Sequence, residues 1–155
     1  MGARSTSRLV AGSLVLALVL AACSSAGSAP SRSPTARPAS GPETVAMGAF
    51  HKVDGEASGT AALLHLADGS YEVSFENFSV AAIEHLDVIF VSNADVTKTT
   101  DVDPTAILDL GPVKARTGMQ EFPVPSAMSA NAMGYHTVVL WDTIMKHAIA
   151  AAPLK

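Results

Sequence analysis

The chain contains a carboxylate and an imidazole whose spacing could make them a pair. Asp142 directly follows four apolar residues that end in the only tryptophan, and His147 lies shortly after it. If Thr137–Asp142 and residues 145–150 form a hairpin, Asp142 lies opposite Met145 and diagonal to His147, on the same face. We therefore hypothesise a hydrogen bond between Asp142 and His147. The alternative is that Asp142 marks the strand end in water, because aspartate is seldom buried without a partner.

Histidine and methionine side chains offer a second kind of site, for a metal or haem. Imidazole and thioether groups are ligands of Cu(I), and a His/Met pair can provide the axial ligands of haem. Met128, Met133 and His136 lie near one another, but the chain has no C-x-x-C-H or H-x-x-x-H spacing. Methionine is also common core filler. We predict no cofactor, with haem or copper as the alternative.

Motifs of common enzymes are missing from the sequence. It has no Gly-x-Ser-x-Gly, no phosphate-binding loop and no H-E-x-x-H. The net charge is −4 and there is no block of like charges, which argues against nucleic-acid binding. These observations favour a binding or accessory module over an enzyme.

Alternating patterns predict the strands that would position these side chains. Ala62, Leu64 and Leu66 share one face of residues 60–66, and the residues from Tyr71 to Phe75 alternate in the same way. Asp68-Gly69 between the two runs predicts a tight turn, since glycine adopts positive φ readily. We expect a hairpin here.

The pattern in the rest of residues 45–155 also predicts short strands separated by turn residues. Residues 86–92 are continuously apolar and predict a central strand, whereas residues 93–104 are polar and predict a long exposed loop. Residues 126–133 favour one or two helical turns capped by Ser126. Further strands are expected at residues 107–110, 120–124, 137–142 and 145–150. The predicted fold is all-β: an antiparallel β-sandwich or barrel-like domain over residues 45–155.

The first 44 residues differ from this body in composition. Arg4 and Arg8 precede an apolar stretch, residues 9–20, that is too short to span a bilayer comfortably. Residues 24–44 contain no Leu, Ile, Val or aromatic residue and are rich in Pro, Ser and Ala, which predicts a disordered tether.

Between these two parts lies Leu20-Ala-Ala-Cys23, which resembles the lipobox of bacterial lipoproteins. The resemblance implies that residues 1–22 are a signal peptide that is removed and that Cys23 is lipidated. Residues 23–44 would then be a lipidated tether, and the partner would be a membrane reached through acyl chains. The expected location is extracytoplasmic, at the cell membrane or envelope.

Several segments of residues 50–155 resemble the DM-thirteen domain family, a small all-β extracytoplasmic module with a proposed electron-transfer role. They occur in the family's order, and the run from Asp109 to Pro125 is the most specific. The segments are Ser58-Gly-Thr-Ala61, Phe75-Glu-Asn-Phe78, Leu86-Asp-Val88, Asp109-Leu-Gly-Pro-Val-Lys114, Thr117-Gly-Met-Gln120, Val138-Val-Leu-Trp141 and Ala152-Pro-Leu154.

The chain departs from the family pattern at two places. Asp142 occupies the position of the family's cysteine, and Ile83-Glu-His-Leu86 stands where the family has Gly-Pro-Asp-Leu. The resemblance implies the fold, with Asp142 and His147 in place of the cysteine and its neighbour. Electron transfer would need His, Met or Asp ligands instead of a thiolate, and it is the alternative to a binding or accessory module.

Overall fold

A computed structural model describes residues 41–155, which form two antiparallel sheets. The all-β prediction is confirmed, and the architecture is sandwich-like. The predicted signal peptide, Cys23 and most of the predicted tether lie outside the described residues. The first strand already begins at Glu43, so the ordered domain starts before the predicted boundary at residue 45.

Nine strands and two short 3-10 helices make up this domain. In chain order the strands are β1 Glu43–Ala49, β2 His51–Lys52, β3 Ala57–His65, β4 Tyr71–Val80, β5 Leu86–Val91, β6 Leu108–Pro112, β7 Thr117–Pro123, β8 Thr137–Asp142 and β9 His147–Pro153. One sheet has the order β1-β3-β4-β7, and the other has the order β2-β9-β8-β5-β6. Neither helix of residues 41–155 is long and apolar enough to cross a membrane.

The predicted hairpin is formed by β3 and β4. Gly69 has a φ of +86°, and the Asp68 carboxylate accepts hydrogen bonds from the Ser70 backbone N–H and hydroxyl. The core side of β3, however, is the side of Ala61 and Leu63, whereas Ala62 and Leu64 are only half-buried on the other side. Leucines on both faces made the inward face of this strand ambiguous.

The main core, as we call the larger cluster of buried residues, is rich in aromatic side chains. Phe75 is fully buried and meets Phe50 edge-on, with ring centroids 5.0 Å apart and planes at 86°. Its ring also lies 4.9 Å from that of Phe122. Both sheets contribute to the main core, which also contains Leu63, Val73, Phe78, Val88, Phe90, Val138, Leu140, Ile149, Ala150 and Ala152.

A second, smaller cluster of buried residues involves the other face of the five-stranded sheet. We call it the second core; it consists of Ile89, Val91, Val96, Val102, Val139, Trp141, Ala148 and Ala151. Residues 93–104 were predicted to be an exposed loop, but Val96 and Val102 from this segment are buried in the second core. The reason is that β5 and β8 are apolar on both faces, so each face needs a cover.

Two further predictions of local structure need correction. Ser126 does not cap the helix Ser126–Gly134, whose N-cap is Pro125, with no side-chain hydrogen bond. The helix is of the 3-10 type, and its first turn closes where the Met128 backbone N–H donates to the Pro125 carbonyl at 2.8 Å. The last strand begins at His147 and not at residue 145, because residues 143–146 form the turn of the β8–β9 hairpin.

Candidate functional site

The β8–β9 hairpin places Asp142 directly opposite His147. The prediction that Asp142 lies opposite Met145 is therefore wrong, since the turn is longer than expected and Lys146 takes a φ of 56° to close it. One Asp142 oxygen, Oδ1, accepts hydrogen bonds from the backbone N–H groups of Ile144 and Met145, each at 2.8 Å. The carboxylate thus organises the turn that follows it.

These hydrogen bonds favour the ionised form of Asp142. The Met145 N–H is the largest influence that lowers the pKa of the carboxyl, and the Ile144 N–H and the charges of His147 and His85 act in the same direction. The structure shows no Asp142–His147 hydrogen bond within residues 41–155, which corrects the predicted pairing. Asp142 is the last residue of β8, as the alternative expected, but it does not lie in water, because only 7% of its surface is exposed.

The two departures from the DM-thirteen pattern lie side by side. Asp142 pairs with Leu86 across the β8–β5 ladder. The next residue, Thr143, donates both its backbone N–H and its hydroxyl to the His85 carbonyl, each at 3.0 Å. His85 has a φ of 57°, in the left-handed region that few residues other than glycine adopt. The hydrogen bonds from Thr143 hold this strained backbone in place.

An open cleft of about 400 Å³ lies beside this contact, at the end of the domain where β4 ends and β5 begins. We call it the end cleft. Its lining includes Ile83 and His85 from the β4–β5 connection, Asp87 from β5, Thr143 from the turn and residues 112–116 from the β6–β7 connection. The sequence did not predict that these segments meet.

The β6–β7 connection is fixed by Gln120, a side chain that sequence reasoning did not single out as functional. Its Oε1 accepts hydrogen bonds from the backbone N–H groups of Lys114 at 2.9 Å and Ala115 at 3.1 Å. Its Nε2 donates to the Ala115 carbonyl at 2.7 Å, and the residue is only 6% exposed. The sequence signal that could have identified Gln120 is its position between Asp109 and Pro125, the most specific run of the resemblance to the DM-thirteen family.

Cations and one carboxylate share the end cleft. Lys114 and Arg116 line it, and the Lys114 ammonium donates to the Glu121 carbonyl and lies 5.0 Å from the centroid of the Phe122 ring. Burial, followed by the charge of Asp109, raises the pKa of the Asp87 carboxyl above its ordinary value. The end cleft therefore combines two cations with one carboxylate.

The residues proposed for a metal or haem have different environments. Met128 is partly buried against the main core, as expected of core filler, whereas Met133 is 57% exposed and His136 is also exposed. Within residues 41–155 there is no group of three or more His, Cys, Asp or Glu side chains that could hold a metal ion. Haem or copper binding thus remains without a structural argument in this part of the chain.

Comparisons of this chain with protein-family models, curated proteins and solved structures find no match. The resemblance to the DM-thirteen family therefore stays a prediction from the segments quoted above.

Proposed function

We propose that this protein is a lipid-anchored β-domain of the extracytoplasmic cell envelope that acts as a binding or accessory module. Cys23 would carry the anchor, and the end cleft would be the binding surface. The observation that supports this best is where the end cleft lies relative to the start of the domain.

The start of β1 and the end cleft are at opposite ends of the sandwich. Glu43 pairs with His65, beside the β3–β4 turn, and Tyr71 begins β4 at the same end. The end cleft is lined by Val80, the last of the ten residues of β4. At about 3.3 Å per residue, the two places are roughly 30 Å apart. A tether that enters the domain at β1 would therefore join it at the end opposite the end cleft and would leave the cleft unobstructed.

The side chains of the end cleft favour binding over nucleophilic catalysis. Thr143 has the one hydroxyl group among the cleft residues, and there is no cysteine among them. The Thr143 hydroxyl donates to a backbone carbonyl and not to a histidine or carboxylate that could activate it.

Labelling with an alkyne-tagged fatty acid in the bacterial host tests the anchor. The wild-type chain should incorporate the label and fractionate with membranes, and Cys23→Ser should lose both properties. Ser24→Ala, a change at the neighbouring residue, should retain them. Protease treatment of intact cells or spheroplasts should then cleave the wild-type domain from outside.

The opposite results would refute the proposal. Equal labelling of wild type and Cys23→Ser would show that Cys23 is not the anchor, and protection from external protease would place the domain elsewhere. A visible absorption band in protein purified from its host would favour the electron-transfer alternative over a binding module.

A further inference from the structure

We propose that the end cleft binds an oxyanion flanked by hydroxyl groups, the chemistry of an acidic or phosphorylated sugar, with Arg116 and Lys114 recognising the anion. This inference rests on the proposed function and specifies its ligand class. It is carried by the distribution of cations, by the rigidity of the loop that presents them, and by the polar character of the cleft.

The cations of the domain are unevenly distributed. Residues 41–155 hold six Lys and Arg residues against fourteen Asp and Glu residues. Lys52 and Lys98 form salt bridges with acidic neighbours, and Lys155, which forms no salt bridge within residues 41–155, lies beside β1, where its backbone is hydrogen-bonded to Met47. The remaining three cations are Lys114 and Arg116, which line the end cleft, and Lys146, which is close enough to oppose the rise in the pKa of Asp87.

None of these three cations forms a salt bridge within residues 41–155, although Lys114 is close enough to oppose the rise in the pKa of Glu72, as Lys146 is for Asp87. The three salt bridges within residues 41–155 involve His51, Lys52 and Lys98. In an acidic domain, a cleft lined by two cations that form no salt bridge is a favourable place for an anion. A guanidinium also matches the geometry of a carboxylate or phosphate, because it donates two parallel hydrogen bonds.

The loop that bears Lys114 and Arg116 is preorganised. The three hydrogen bonds of Gln120 fix the backbone at Lys114 and Ala115, and the Arg116 carbonyl accepts from the Val80 N–H at 2.9 Å. The opposite wall is fixed by the hydrogen bonds from Thr143 to the His85 carbonyl. Because the backbone of both walls is held before binding, little backbone conformational entropy is lost when a ligand enters.

The other side chains in the end cleft indicate which further chemical groups the ligand carries beside the anion. Asp87 offers carboxyl oxygens that can accept from hydroxyl groups, and His85 offers a ring that can donate or accept. Ile83, half-buried, provides an apolar wall for a sugar face. A volume of about 400 Å³ is within the usual range of small-molecule sites, which is roughly 300–1,000 Å³. An acidic monosaccharide or disaccharide has an anion for the cations, hydroxyl groups for Asp87 and His85, and an apolar ring face for Ile83.

Isothermal titration of the full-length chain in detergent micelles tests this inference. The probes are digalacturonic acid for a carboxylate source, glycerol 1-phosphate for a phosphate source and cellobiose as a neutral sugar. At least one anionic probe should bind, and cellobiose should bind at least tenfold more weakly than that probe. Binding should also weaken as salt rises, because an exposed ion pair is screened.

The deciding variant is Arg116→Gln, with Lys155→Gln as the matched loss of one charge elsewhere. Loss of a charge-assisted hydrogen bond at the cleft should weaken binding about tenfold or more, whereas the control should bind like wild type. Both variants change exposed side chains, and equal melting temperatures would show that both fold. Failure of both anionic probes to bind, or equal affinity of Arg116→Gln and wild type, would overturn the inference. Fatty-acid labelling does not depend on these results, so the proposal of a Cys23 anchor and the proposal of an anionic ligand can be refuted separately.

Discussion

The main core and the second core differ in how they are closed. The main core is built from strands of both sheets and contains all five phenylalanines of the chain. Four of them, Phe50, Phe75, Phe78 and Phe122, form one group in which neighbouring ring centroids lie 4.9–5.5 Å apart. The second core has a sheet on one side and a loop on the other, and Trp141 is its one aromatic residue. The loop of residues 93–104, which we call the cover, forms no strand pairing with the sheet. Polar contacts must therefore hold the cover in place.

Three sets of polar contacts connect that cover to the sheet. The Thr99 hydroxyl donates to the Asp54 carboxylate at 2.7 Å and accepts from the Ala148 N–H at 2.9 Å. The Thr137 hydroxyl donates to the Asn93 carbonyl at 2.8 Å. His51 and Asp95 form a hydrogen-bonded ion pair at 2.8 Å. We therefore expect the second core to open while the sandwich stays folded, because Val96 and Val102 are the only buried apolar residues that residues 93–104 contribute to it.

The largest effect is expected in the main core. Phe75→Ala removes a fully buried ring and should lower the free energy of unfolding by about 3–5 kcal/mol. Because this ring contacts three others, circular dichroism and Trp141 fluorescence should report one cooperative transition at lower denaturant concentration. Ile144→Ala, a truncation of a side chain that is 66% exposed, is the control and should leave the midpoint nearly unchanged. A small shift for Phe75→Ala would mean that the main core does not dominate stability.

An intermediate effect is expected in the second core. Thr99→Val keeps the side-chain shape but leaves the Ala148 N–H without its acceptor, which should cost about 1–3 kcal/mol locally. Trp141 is the only tryptophan and belongs to the second core, so its fluorescence should change at lower denaturant concentration than the circular dichroism.

Thr97→Val is the matched control for this change, because the Thr97 hydroxyl bonds to Asp101 within the same loop and not to the sheet. It should leave the two transitions closer together than Thr99→Val does. If Thr99→Val shifts both probes equally, the two cores form one cooperative unit and the comparison is wrong.

The same contrast explains what the sequence could predict. Residues on β4 and β8 alternate or run apolar, so their strands were identified, and Thr137–Asp142 was placed correctly. The cover was not predicted, because Val96 and Val102 are single apolar residues among polar ones and show no period. Burial of such residues depends on which sheet face lies beneath them.

The residues that fix the walls of the end cleft could be predicted only in part, for a related reason. Asp142 was recognised as unusual from its position after an apolar run, but its hydrogen bonds to Ile144 and Met145 depend on the length of the turn. Gln120 stabilises a loop several residues away, and apart from its place in the most specific run of the resemblance, a glutamine in an alternating strand gives no sign of burial. Register and loop closure, which create both features, depend on tertiary contacts.

The smallest effect, and the most specific to the second core, concerns pH. Burial alone would lower the pKa of His51, but its hydrogen bond to Asp95, the Lys52 carbonyl and the charge of Asp95 outweigh burial and raise this pKa above 6.5. A histidine with a raised pKa in the folded state adds stability that is fully present below pH 6.5 and is lost as pH rises through the folded pKa. The pair is partly exposed, so the change should be about 0.2–1 kcal/mol.

The Trp141 fluorescence transition should therefore move to lower denaturant concentration when the pH is raised from about 5.5 to about 8, a range that spans the ordinary pKa of histidine. Asp95→Asn keeps an acceptor for the Val96 N–H but removes the charge, so it should reduce this pH dependence. His136→Gln, a change at an exposed histidine, should retain the dependence, and an identical pH profile for Asp95→Asn and wild type would show that the ion pair does not hold the cover.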